Sequence, residues 1–101
     1  MSLRDMPGLT VEIVNKKGLH ARAAAKFVKT ATAYNAQVTV VKLGQHGEAD
    51  SLPVVGASIL GLMMLGADPG SKLFIEAQGK QAQEVLNALK AVVENKFGEG
   101  E

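Results

Sequence analysis

The chain offers two imidazoles, His20 and His46, and no cysteine. Thiolate nucleophiles, disulfides and thiolate metal sites are thereby excluded, and no metal site is expected from so few ligand side chains. His46 sits in a glycine-flanked turn, Gly44-Gln45-His46-Gly47. His20 has a more informative setting. It follows Gly18-Leu19 and precedes an alanine-rich run with Ala at 21, 23, 24 and 25, a sequence of high helix propensity. His20 should therefore stand near a helix N-cap, where unpaired amides point outward and the helix dipole is positive. Ser, Thr, Asp or Asn would cap better. A neutral imidazole there can attack phosphorus through a ring nitrogen and hold a phosphoryl group as a phosphoramidate. The anion would lie at a helix N-terminus, with Arg22 in range for charge-assisted hydrogen bonds. The same groups would stabilise the charge of a loose phosphoryl-transfer transition state. A protonated ring cannot attack, and cationic surroundings disfavour imidazolium. Taken alone, His20 reads more plainly as an exposed turn residue.

The local charge supports the sharper reading. No acidic residue lies between Glu12 and Glu48, an interval holding Lys16, Lys17, Arg22, Lys26, Lys29 and Lys42, six of the eleven cations. This predicts a positive field around the start of the helix, able to steer an anion or acidic partner. For Lys26, Lys29 and Lys42 taken singly, a solvated helix or strand position is the simpler account. No Asp or Glu stands near His20 in sequence to orient it as a general base, and no Walker-type loop holds a nucleotide. The chain reads as able to carry a phosphoryl group, and not as a stand-alone enzyme.

The elements that must position these groups follow from periodicity. Leu9, Val11 and Ile13 alternate with Thr10, Glu12 and Val14, a strand ended by Asn15-Lys16-Lys17-Gly18. From His20 the period becomes helical: Ala24, Phe27, Val28 and Ala31 share one face, and Tyr34-Asn35 is expected to close the helix. Residues 36–43 read as a second strand, and a hairpin partner is expected within 48–55, with Pro53 forcing it to an edge or ending it early. Residues 58–65 form a short helix stopped by Gly66 and Asp68-Pro69-Gly70. Leu73, Ile75 and Ala77 mark a fourth strand, and Ala82, Val85, Leu86, Leu89, Val92 and Val93 the last helix, over roughly residues 80–96. The order βαββαβα predicts an α+β sandwich, one sheet with its helices on a single face.

The short helix is apolar all round: Ile59-Leu60-Gly61-Leu62-Met63-Met64-Leu65. Two turns on a sheet bury only part of their circumference. Leu62 and Leu65 are expected inward, leaving Ile59, Leu60 and Met63 as a methionine-containing docking surface unless the uncharged segment before them folds over it. Ser58 is most simply the N-cap; phosphorylation there would add charge without breaking the fold and would oppose apolar docking.

With 101 residues and a formal net charge of +1, the chain is one domain without the excess expected of a protein that lives by gripping nucleic acid. The stretch 51–67 carries no charge, yet Pro53, Gly56, Ser58 and Gly61 interrupt it and it falls short of a membrane span. Residues 1–8 are expected to be a tail, 9–97 the domain and 98–101 a polar C-terminal tail. The lack of cysteine fits a cytoplasmic protein.

Gly18-Leu19-His20-Ala21-Arg22, with Ala24-Ala25-Lys26-Phe27-Val28, resembles the active-site segment of HPr, the histidine phosphocarrier of the bacterial phosphoenolpyruvate:sugar phosphotransferase system. Ala57-Ser58-Ile59-Leu60-Gly61-Leu62-Met63-Met64-Leu65-Gly66 resembles the second signature of that family. One motif alone is weak; both in this order, across residues 10–97, are specific. The resemblance implies an open-faced β-sandwich, a four-stranded sheet with three helices on one face. It implies that enzyme I phosphorylates His20 on Nδ1 and that a histidine of a IIA-type protein receives the group. Arg22 would bind the phosphoryl group, Ile59, Leu60 and Met63 would dock both partners, and Ser58 would be the target of an HPr kinase/phosphorylase. A monomer needing no cofactor is implied. Two departures stand out. Ala23 replaces the proline usual after the arginine, adding an N–H to the first turn, and the span between the signatures is longer, around residues 44–56. The Met-Met-Leu ending is also similar to the nitrogen-related branch, NPr. The competing reading is a regulatory interaction module controlled at Ser58.

Overall fold

The computed structural model describes residues 7–99. Four strands and three helices follow in the order expected: β1 (Gly8–Glu12), α1 (Ala21–Ala31), β2 (Gln37–Leu43), β3 (Val54–Val55), α2 (Ile59–Met64), β4 (Lys72–Gln78) and α3 (Ala82–Glu94), with a 3-10 turn at Lys96–Gly98. The sheet is antiparallel throughout, in the order β1-β4-β2-β3. Register sets apolar residues opposite one another on one face: Leu9 faces Ile75, Val11 faces Leu73, Val40 faces Ile75 and Val38 faces Ala77. Strand side chains alternate between faces, so this row faces the core, Leu9 partly and the rest fully buried, while Thr10, Thr39 and Glu76 lie on the other side.

Onto that row pack the apolar stripes of the helices. Ala23, Ala24, Phe27 and Ala31 are buried from α1, Leu62 from α2, and Ala82, Val85, Leu86, Leu89 and Val93 from α3. The result is an open-faced sandwich, helices on one side and an uncovered sheet face on the other. β1 begins at Gly8, which pairs with Glu76, and the Pro7 carbonyl accepts from Ala77 N.

Two elements differ from the periodic reading. α1 ends at Ala31 rather than at Tyr34-Asn35: Thr32 N still donates to the Val28 carbonyl, but Ala33 N turns to the Thr30 carbonyl at 3.2 Å and the i−4 ladder stops, while Thr32 Oγ1 also donates to the Val28 carbonyl at 2.8 Å. The hairpin strand is interrupted. A turn closes at Gly44–Glu48, Leu43 bridges Ala49, and then Ser51 Oγ, not a backbone carbonyl, accepts from Lys42 N. Pairing resumes only at Val54–Val55, after Pro53, which has no N–H to give. The strand is thus an edge strand of two residues, and the long middle segment is a loosely stitched ribbon.

The last helix does not simply fray. Lys96 and Phe97 both adopt left-handed backbone, φ 55° and 54°, uncommon for side chains with a Cβ. Phe97 is nevertheless buried, and Lys26 Nζ of α1 donates to its carbonyl at 2.6 Å. Burial of the ring and this bond fix a hook that turns the chain back across the start of α1.

Candidate functional site

His20 is the N-cap of α1. Its backbone is extended, φ −82° and ψ −177°, and its carbonyl accepts from Ala24 N at 2.8 Å. Its Nδ1 accepts from the Arg22 amide at 3.3 Å, which satisfies one first-turn donor that has no intrahelical partner. The turn before it is built around Gly18, whose φ of +71° and close approach to the Ala67 carbonyl leave no room for a Cβ, which would lie 2.6 Å from that oxygen. Leu19 N donates to the same carbonyl at 2.9 Å. The turn that presents His20 is therefore anchored to the segment just after α2.

The ring faces a cleft of about 200 Å³ between Lys16, Lys17, Arg22, Lys26 and Glu99. The His20 side chain is 30% exposed, so it is neither walled in nor projecting freely. A larger groove, about 530 Å³, lies beyond the other end of α1 between Ala31, Tyr34, Val38 and Gln78; it has no His, Lys or Arg in its lining, so it lacks the groups the chemistry needs. Arg22 is exposed, one residue inside the helix.

No Asp or Glu stands near His20 in sequence, yet tertiary packing brings one carboxylate to it. Glu99 Oε2 lies 2.5 Å from His20 Nε2, across 79 residues of sequence. Its other oxygen accepts from Asn15 Nδ2 at 3.0 Å, and that same amide nitrogen donates to the Gly18 carbonyl at 2.8 Å. Asn15 is fully buried. The hydrogen bond from Asn15 holds the Glu99 carboxyl below its ordinary value of 4.5 against the opposing effect of desolvation, and the His20 ring and Lys17 lower it further. The cationic surround of His20 thus contains one anion. Neither partner could be picked out by local pattern: Asn15 reads as a turn residue, and Glu99 belongs to a stretch expected to be a polar tail. The only hint was Phe97, a large apolar residue too near that stretch to be left in water.

The tautomer follows from this geometry. With Nδ1 accepting from Arg22 N, the proton of the neutral ring belongs on Nε2, where it is donated to Glu99. The ring's lone pair is the one at the helix mouth, where it accepts the long bond from Arg22 N.

The second constellation is α2. Ser58 is its N-cap, Oγ accepting from Gly61 N at 2.9 Å. Leu62 and Leu65 are buried. Ile59 and Met63 are each 41% exposed, Leu60 68% and Met64 77%. The uncharged segment before the helix does not cover them, and Leu52 within it is itself open to solvent. α2 leads through Gly66 and Ala67 directly to the carbonyl that anchors Gly18-Leu19, so the apolar face and the imidazole are held by adjoining turns. Among the described residues no group of three or more His, Cys, Asp or Glu could hold a metal ion, and no helix is long and apolar enough to cross a membrane.

Comparison with known proteins bears on the chain as a whole. The family described as "PTS HPr component phosphorylation site" matches residues 9–95. The phosphocarrier protein HPr of Pseudomonas aeruginosa is 48% identical over 96 residues, covering 95% of this chain and all of that protein. The phosphocarrier protein NPr of Shewanella violacea is 38% identical over 89 residues, 88% of this chain and 90% of that one. The crystal structure of HPr-C-His from Thermoanaerobacter tengcongensis superposes with a TM-score of 0.81 at 41% identity, covering 93% of this chain and 98% of that one.

Proposed function

The chain belongs to the HPr family of phosphotransferase-system proteins, and from that premise we propose that it is a phosphocarrier whose nucleophile is Nδ1 of His20. The observation that carries the reading is the lone pair of this nitrogen, aimed at the first-turn amides of α1. In the forward step the lone pair forms the N–P bond as the bond between phosphorus and the donor breaks, the donor keeping its electron pair. Nε2 retains its proton throughout. At 3.3 Å the bond from Arg22 N to Nδ1 is long, and releasing it costs about 1 kcal/mol or less. Once Nδ1 is phosphorylated, a phosphoryl oxygen takes its place as the acceptor for that amide. The cap is exchanged, not lost. The guanidinium of Arg22, exposed beside the cleft, adds charge-assisted bonds to the same oxygens.

The donor is enzyme I and the acceptor a histidine of a IIA-type protein, both landing on Ile59, Leu60 and Met63. Incubation with phosphoenolpyruvate and enzyme I tests this. An acid-labile, base-stable phosphate on His20, absent from His20→Ala, is the expected product; an unmodified wild-type chain beside a working control rejects the reading. Ser58 supports a second, regulatory reading, because its hydroxyl borders the exposed apolar face. Phosphate there would place charge at the rim of the docking surface. Treatment with an HPr kinase/phosphorylase followed by mass spectrometry distinguishes the two: product at Ser58 and none at His20 would favour regulation over relay.

A further inference from the structure

We propose that Glu99 is a positioning residue for His20, holding the ring in the tautomer and orientation that keep the lone pair on Nδ1, at the mouth of α1; this rests on the phosphocarrier reading above. The hydrogen bonds close completely around the two side chains. Glu99 Oε1 is held by Asn15, whose remaining amide hydrogen is committed to the Gly18 carbonyl, and Glu99 Oε2 faces His20 Nε2. Both ends of the carboxylate are engaged, so its direction is set by a buried amide and not by the ring it serves. His20 in turn is bound at both nitrogens. Rotating the ring by half a turn about its Cβ–Cγ bond would break both contacts.

The structure also shows how the carboxylate is delivered. The left-handed pair Lys96–Phe97, the buried Phe97 ring and the bond from Lys26 Nζ to the Phe97 carbonyl place the next residues over the start of α1. Such backbone is costly away from glycine and persists where surrounding contacts over-determine it. Here its product is a carboxylate on the far edge of the imidazole from the attacking nitrogen. Glu99 therefore does not occupy the phosphoryl position. As Nδ1 forms its bond to phosphorus, positive charge develops on the ring, and the carboxylate on the Nε2 proton stabilises it. Orientation of a catalytic imidazole by a carboxylate on its other nitrogen is a general device; its occurrence here depends on a residue seventy-nine positions away.

Glu99→Ala and Glu99→Gln in the full chain test the inference by two readouts. The first needs no phosphate. Nitrogen-15 NMR of the His20 ring should show one tautomer, protonated at Nε2, in the wild type, and a mixture in Glu99→Ala. The second is the initial rate of phosphorylation by phospho-enzyme I. It should fall about tenfold in kcat with KM little changed, because the residue orients the nucleophile and does not dock the partner. Glu99→Gln, which keeps an acceptor but loses the charge, should fall between the two. Glu94→Gln, an exposed carboxylate on α3, should behave as wild type. An unchanged tautomer and rate in a folded Glu99→Ala chain overturn the inference. A wild-type chain that is not phosphorylated overturns the phosphocarrier reading instead, and the NMR result still separates the two.

Discussion

Ser58 allows stability and docking to be perturbed separately by two substitutions at one position. Its Oγ accepts from Gly61 N at 2.9 Å, and α2 has only six residues, too few to be held by propensity alone. Ser58→Ala leaves that amide without its side-chain partner and should cost about 1 kcal/mol. For a domain of this size that is a fall of about 5 °C in the thermal midpoint. Ser58→Asp retains a capping oxygen and adds a negative charge at the helix start, worth about 0.3 kcal/mol for so short and exposed a helix, so its midpoint should stay near that of wild type. Function should rank the other way. The alanine variant leaves the exposed face of Ile59, Leu60 and Met63 apolar, and its transfer rate from enzyme I at a temperature where it is folded should match wild type. The aspartate variant brings a carboxylate to the rim of a surface that loses water on docking. An incompletely satisfied polar group there costs about 1–3 kcal/mol, a rise in KM of roughly five- to 150-fold. Calorimetry and a steady-state phosphotransfer assay on the same preparations decide it. Equal thermal losses in both variants would refute the capping argument, and equal KM values would refute the docking argument.

The same structure sets further expectations. Arg22→Ala should fold normally, since the side chain is exposed, and should slow phosphotransfer about tenfold through loss of a charged hydrogen bond worth about 1.5 kcal/mol; an unchanged rate would remove it from the site. Gly18→Ala forces a Cβ to within 2.6 Å of the Ala67 carbonyl at a φ of +71°, so thermal denaturation should show a loss of about 1–3 kcal/mol, accompanied by slower transfer as the His20 turn shifts. Phe97→Ala empties a buried site and should cost about 3 kcal/mol in urea unfolding. Because the Glu99 carboxyl is held below its ordinary value, chiefly by the Asn15 hydrogen bond, its contribution to stability is present above the unfolded carboxyl value and is lost as pH falls through the lower folded value. Wild type should therefore exceed Glu99→Gln in stability at neutral pH, with the gap closing in acid; a gap that is constant down to strongly acidic pH would contradict this.

Most of the scaffold was legible because its signals are local. Alternation at Leu73, Ile75 and Ala77 and the stripe from Ala82 to Val93 each report a burial pattern with a fixed period. The site was legible in part for the same reason: His20 lies beside the helix it caps, and Ser58 beside the one it caps. What escaped has a common cause. α1 ends where Ala33 N leaves the i−4 ladder for the Thr30 carbonyl, and the hairpin partner is broken where Ser51 replaces a backbone acceptor; neither alters hydrophobic periodicity. Glu99 reaches His20 only through tertiary packing of Phe97, a contact between distant residues on which spacing is silent.

The hydrogen bond from Leu19 N to the Ala67 carbonyl joins the loop that leaves α2 to the loop that enters α1. On the proposed function, a protein seated on the exposed leucine and methionines would meet an imidazole whose bearing relative to that seat is already set. Little angular search would remain after contact, and donors and acceptors of quite different shape would share one landing geometry by gripping the same short helix.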